Sequence, residues 1–150
     1  MEEPTNRLSF DPERVSDYRL VADAGNPSTP DGLTRAVLLG EGELNVTIQG
    51  GGDEPRAAKE KPPSWSVKVG PATVLNLFTR AAQLRWGRPF PQRLGLPDET
   101  ILTLSFVDAR LGEVSLKMWL EDAERDEMLS SLLTTLRQVV EAATDGKAYL

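Results

Sequence analysis

The chain has 150 residues, is 39% hydrophobic and carries a formal net charge of −6. It contains no cysteine and no histidine, which excludes disulfides, thiolate chemistry, histidine-based zinc sites and Ser-His-Asp or Cys-His catalysis. No apolar run approaches the roughly 20 residues of a membrane-spanning helix. The start of the chain, MEEPTNRLSFDPER, lacks the basic and apolar blocks of a signal peptide, so a cytoplasmic location is expected.

The charge is unevenly distributed along the chain. Residues 61–97 include no Asp or Glu and six Lys or Arg, which leaves a net charge of −12 on the remainder. Such a division steers partners electrostatically if the basic residues share one surface. The alternative is that they face different directions and form no patch.

Residues 1–15 are predicted to form a flexible N-terminal arm, and residues 16–150 a single domain. The domain opens with four predicted strands, because apolar residues alternate or lie in short runs bounded by turn residues. These strands are DYRLVADA, LTRAVLL, ELNVTIQ and SWSVKV. The glycine-rich, charged segment 50–63, between the third and fourth strands, is predicted to be a mobile loop.

A helix is predicted from Pro71, which suits a first helical turn, to Trp86, where the following prolines prevent its continuation. TILTLSFV and EVSLKMWL then form a predicted hairpin around residues 108–112. The last predicted helix has an acidic start over residues 122–127 and apolar residues at helical spacing. Those residues are Leu129, Leu132, Leu133, Leu136, Val139, Val140 and Ala143.

The predicted element order is therefore ββββ-α-ββ-α. Hairpin connections imply an antiparallel sheet, and two amphipathic helices need a sheet face to cover. The predicted fold class is α+β, with the two helices packed on one face of the sheet.

Several segments resemble known functional motifs but lack their defining features. The triple glycine at 50–52 is not followed by Gly-Lys-Ser/Thr, so it is not a phosphate loop. The acids of 121–127 lack calcium-loop spacing and are explained by the start of a helix. Asp108 and Glu113 flank a hairpin and are interpreted as surface carboxylates. No catalytic residue, metal ligand or cofactor site is assigned.

The candidate binding site lies in LRWGRPFPQR, residues 84–93. Arg85, Trp86, Arg88 and Phe90 are assigned to a partner-binding surface, because Trp and Arg are enriched at interface hot spots and prolines stiffen the loop. The alternative is that Trp86 and Phe90 cap the core. Nucleic acid is disfavoured as the partner by the acidic remainder of the chain and the lack of a recognisable binding motif.

Four segments together resemble a known family in their order: TRAVLLGEGELNVTIQGG, PATVLNLFTRAAQL, PDETILTLSFVDARLGEVSLKMWL and MLSSLLTTLRQVV. The resemblance is to emfourin-like proteins, a group of small bacterial α+β proteins that includes inhibitors of thermolysin-like metallopeptidases. The Gly-Gly expected after the first strand is replaced by AGNPSTPDG, and no inhibitory residue is transferred. The resemblance implies an intracellular, non-catalytic partner-binding protein, with a peptidase inhibitor as one form of it.

The sequence favours a non-catalytic protein-binding module, with an intracellular peptidase inhibitor as one form of it. One alternative is an adaptor or subunit of a larger bacterial assembly. The other is a small enzyme that uses carboxylates or lysine. No membrane partner is expected, and the oligomeric state is left open.

Overall fold

The computed structural model describes residues 9–26, 32–49, 64–86, 100–148 and 150. Residues 1–8 of the predicted arm, the predicted loop 50–63, Arg88 and Phe90 lie outside the described residues.

Six strands form one antiparallel sheet, in the order β4-β3-β2-β1-β5-β6. The strands are β1 (Tyr18–Asn26), β2 (Gly32–Leu39), β3 (Glu43–Gln49), β4 (Ser64–Lys68), β5 (Ile101–Asp108) and β6 (Gly112–Trp119). The first four strands follow each other as a meander, and the β5–β6 hairpin adds to the free side of β1. The predicted α+β class and the antiparallel sheet are confirmed.

Two long helices, α1 (Pro71–Ala82) and α3 (Glu127–Thr144), pack on one face of this sheet, with a short α2 (Leu120–Arg125) before α3. The break between α2 and α3 lies at Asp126, whose backbone is extended and whose carboxylate accepts from the N–H groups of Met128 and Leu129 at 3.1 Å. An N-cap thus divides the acidic segment that the sequence assigned to the start of a single helix.

The core lies between the helices and one face of the sheet. The register places Leu20 of β1 between Leu38 and Phe106 of the neighbouring strands, so large apolar side chains line up across the sheet. The helices add residues at the predicted spacing: α1 buries Val74, Leu77, Phe78 and Ala81, and α3 buries Leu129, Leu132, Leu133, Leu136 and Val140. Val139 and Ala143 are only half-buried.

The domain begins earlier than the predicted boundary at residue 16. The ring of Phe10 meets that of Tyr18 edge-on at 4.9 Å and that of Phe78 at 5.6 Å. A short 3-10 helix, Pro12–Asp17, follows, and the side chain of Asp11 accepts from the backbone of Glu13 at its start. Residues 10–15 are therefore part of the folded unit, because one aromatic side chain anchors an otherwise polar segment.

None of the described helices is long and apolar enough to cross a bilayer.

Candidate functional site

Of the four predicted binding residues, the structure describes Arg85 and Trp86, and these two do not share an exposed surface. Trp86 is 1% exposed, its indole N–H donates to the carbonyl of Ala81 at 2.9 Å, and its ring stacks on Phe106 at 6.4 Å. This position differs from the predicted one at a binding rim, because the indole finds both an apolar surface and a hydrogen-bond acceptor inside. Arg85, the preceding residue, is exposed. Arg85 is therefore the exposed one of the two predicted residues that the structure describes.

Asp108, interpreted from the sequence as a surface carboxylate, is 1% exposed. Its carboxylate accepts from the Arg14 guanidinium at 3.0 Å and from the backbone N–H of Arg110 at 2.9 Å. The hydrogen bond from Arg14 lowers the pKa of Asp108 below its ordinary value, although burial acts in the opposite direction. Glu113 lies opposite Val107 in the register and is exposed, so it does not form a carboxylate pair with Asp108.

The Asp108–Arg14 pair anchors the N-terminal segment to the β5–β6 hairpin. The same guanidinium donates to the Tyr18 hydroxyl at 3.1 Å. That hydroxyl also accepts from the backbone N–H of Asp11 and donates to the carbonyl of Ser9 at 2.9 Å. Each member has its partners within this network. The cluster is therefore structural, and its acid is held in the ionised form.

An apolar groove of about 380 Å³ lies between β4 and the second half of α3. Its lining is mostly aliphatic or small, and several of these side chains are half-buried. The lining residues are Val67, Lys68, Val69, Thr73, Gln138, Val139, Ala142 and Ala143.

The groove exists because the two long helices run antiparallel above the sheet. Near the end of α1, the guanidinium of Arg80 donates to the hydroxyl of Ser131. Near the start of α1, Thr73 shares the groove lining with Ala142. The second half of α3 therefore lies above β4, and the layer between helix and sheet opens to the side there.

The outer side of β4 carries an open row of backbone groups. The N–H of Val69 donates to the carbonyl of Gly42 at 2.7 Å, so Val69 and, two residues earlier, Val67 face β3. In an antiparallel strand, the N–H and C=O groups of one residue point to the same side, and the side alternates from each residue to the next. Those of Ser64, Ser66 and Lys68 therefore point away from β3. Among the described strands, none pairs with this side.

Lys68 is the only charged residue of β4. Its side chain is exposed and makes no ion pair with any described residue. Glu43, directly across the β3–β4 ladder, accepts instead from the hydroxyl of Ser66 at 3.1 Å. Side chains alternate between faces, so the side chain of Lys68 lies on the face of the sheet opposite to those of Val67 and Val69, although Lys68 is among the residues that line the groove.

The sequence pattern identified β4 as a strand but not its position at the edge, since edge position depends on which strands pair. The alternation of Trp65, Val67 and Val69 was the available signal, and it indicates one apolar face without saying what covers it.

No protein-family model matches the chain, and no curated protein sequence matches it. Within the described ranges, no group of three or more acidic side chains is placed to hold a metal ion.

Proposed function

We propose that the protein is a non-catalytic protein-binding module that holds an extended segment of a partner protein along β4. The observation that carries the proposal is the coincidence of an open strand edge with an apolar groove directly beside it. Strand addition uses this combination: backbone groups of the edge supply affinity, and a neighbouring groove selects side chains.

Asp108, the buried acid among the described residues, is not arranged for acid–base catalysis near neutral pH. A carboxylic general acid near neutral pH needs a raised pKa in a cleft. The pKa of Asp108 is instead lowered by Arg14, and the carboxylate is enclosed by its own hydrogen-bond donors. The alternative of a carboxylate-dependent enzyme receives no support from this residue.

The class of partner follows from the family resemblance rather than from the groove. Emfourin-like proteins imply a peptidase, and the alternative is a subunit of a larger assembly. Adding the purified chain to a thermolysin-like metallopeptidase distinguishes the two. Inhibition that depends on the β4 edge supports the inhibitor form, and undiminished peptide hydrolysis at saturating protein favours the assembly.

The direct test of the binding function is site-specific photo-crosslinking in the producing cell. A photo-reactive residue is installed at Ser66 on the β4 edge and, as a control, at Glu124 on the exposed side of α2. We expect one defined protein adduct from position 66 that is missing from position 124. The same adducts from both positions, or none from position 66, would overturn the proposal.

A further inference from the structure

The open edge and the groove together restrict the chemistry of the segment that fits them. We infer that the β4 edge binds an extended segment of a partner protein that alternates aliphatic with polar side chains and places an acidic side chain opposite Lys68. This inference rests on the proposed binding function and specifies its ligand.

The first step concerns the backbone. A strand that joins β4 pairs with the outward N–H and C=O groups of Ser66 and Lys68, because those of Val67 and Val69 face β3. The joining segment must therefore be extended and free of proline at its paired positions.

The second step concerns the face that lies under α3. Alternate side chains of an added strand point into the layer between sheet and helix. There they meet Val67, Val139 and Ala143, which are half-buried and leave apolar surface to cover. Burying aliphatic side chains at this place lowers the free energy of binding, whereas burying charged side chains is unfavourable because they lose their hydration.

The third step concerns the opposite face. The side chains between the aliphatic ones lie beside Ser64, Ser66 and Lys68, all of which are exposed. Oppositely charged side chains that face each other across a ladder stabilise the pairing, and like charges destabilise it. Glu43 lies across the ladder from Lys68 on the β3 side but makes no ion pair with it, so an acid in the added segment is the expected ion-pair partner on the open side.

The composition of this chain argues against its own segment 50–63 as the occupant. That segment has two alanines as its only apolar side chains apart from three prolines, and the prolines remove ladder donors. A second copy is another competitor, because two β4 edges can pair with each other.

The experiment uses the full chain and two labelled synthetic peptides of identical composition. In one, valines alternate with polar residues and an aspartate occupies the central polar position; in the other, the valines are contiguous. Binding is measured by fluorescence anisotropy and located by backbone amide shifts. We expect only the alternating peptide to bind, with shifts confined to residues 64–69 and 138–143.

Two substitutions at one position separate the edge from the rest of the strand. Both substitutions remove the Ser66 hydroxyl, which donates to Glu43. Ser66→Pro also removes the outward backbone N–H, whereas Ser66→Ala keeps it. We expect Ser66→Pro to weaken peptide binding by about tenfold or more and Ser66→Ala to leave it nearly unchanged. Both variants should retain the wild-type circular dichroism spectrum, because proline is tolerated on the open side of an edge strand.

A charge exchange tests the acidic side chain. Lys68→Glu should weaken binding of the aspartate peptide by roughly threefold, and a peptide with lysine at the same position should recover it. Equal binding of the two valine peptides, or an unchanged response to Lys68→Glu, would overturn the inferred chemistry. A dimer in sedimentation that Ser66→Pro dissociates would identify a second copy as the occupant and overturn it as well.

The failure of this inference is distinguishable from failure of the proposed function. If no peptide binds but position 66 still crosslinks to a partner protein, the binding function holds and the inferred ligand chemistry is wrong. If crosslinking at position 66 also fails, both are wrong.

Discussion

Asp108 owes its position to two donors that the sequence places far apart. Arg14 precedes it by 94 residues, and Arg110 follows it within the hairpin loop. Because the lowered pKa of Asp108 belongs to the folded state, its ionisation stabilises the fold above the ordinary aspartate pKa. That contribution is lost as the pH falls from about 4 toward the lower folded value.

Asp108→Asn is therefore expected to lower the free energy of unfolding clearly at pH 7 and less at pH 3. Urea denaturation at the two pH values measures the difference from the wild type. Glu113→Gln, at the exposed carboxylate of the same hairpin, is the control and should change little at either pH. A penalty for Asp108→Asn that is the same at both pH values would contradict the role of the ionised carboxylate.

Gly40 is required by the close approach of the N-terminal segment to the β2–β3 turn. Its N–H donates to the carbonyl of Tyr18 at 2.9 Å, and a Cβ at this position would overlap the carbonyl oxygen of Val15. Gly40→Ala should reduce the free energy of unfolding by about 1–3 kcal/mol, since backbone must move. Gly70→Ala is the matched control, because open space surrounds that position. Equal unfolding midpoints for the two variants would show that residues 10–16 do not hold this contact.

At the scale of elements, the periodicity of apolar residues predicted the helices and strands whose formation depends on local sequence. The apolar stripe of α3 and the alternation in β5 and β6 lie where the sequence placed them, because each pattern repeats over many residues. Contacts between residues far apart in the sequence could not be predicted in the same way, because no local pattern specifies them. The burial of Trp86 depends on Ala81 and Phe106, and the open edge of β4 depends on which strands pair.

The stripe of α3 supplies the prediction at this scale. Leu133 is fully buried, and Thr134, the next residue, is exposed. Leu133→Asp places an unpaired charge against the sheet and should cost roughly 4 kcal/mol or more, whereas Thr134→Asp should change stability by less than about 1 kcal/mol. Thermal denaturation followed by circular dichroism compares the two. Similar melting temperatures for the two variants would show that Leu133 does not lie on the buried face of α3.

At the scale of the whole molecule, the groove and the Arg85 region lie at opposite ends of α1. Thr73 lines the groove, and Arg85 lies beyond the other end of the helix at Ala82, which is roughly 14 Å from Thr73 at a helical rise of 1.5 Å per residue. A short peptide on β4 does not reach Arg85. If the proposed partner is a folded protein, we expect it to span both places and to present acidic groups to the arginines of the acid-free segment 61–97.

The double substitution Arg85→Ala with Arg88→Ala separates these two surfaces. It should leave the affinity for the alternating-valine peptide unchanged, because that peptide is confined to β4. Affinity for the folded protein that crosslinks at position 66 should fall about tenfold, and more steeply at low salt, because screening already weakens these contacts at high salt. Stability should change by no more than about 1 kcal/mol, as for exposed charges in general. The indole hydrogen bond to Ala81 already anchors Trp86 in the core. A loss of stability with both affinities intact would therefore show that the two arginines serve the structure around Trp86 and not a binding surface.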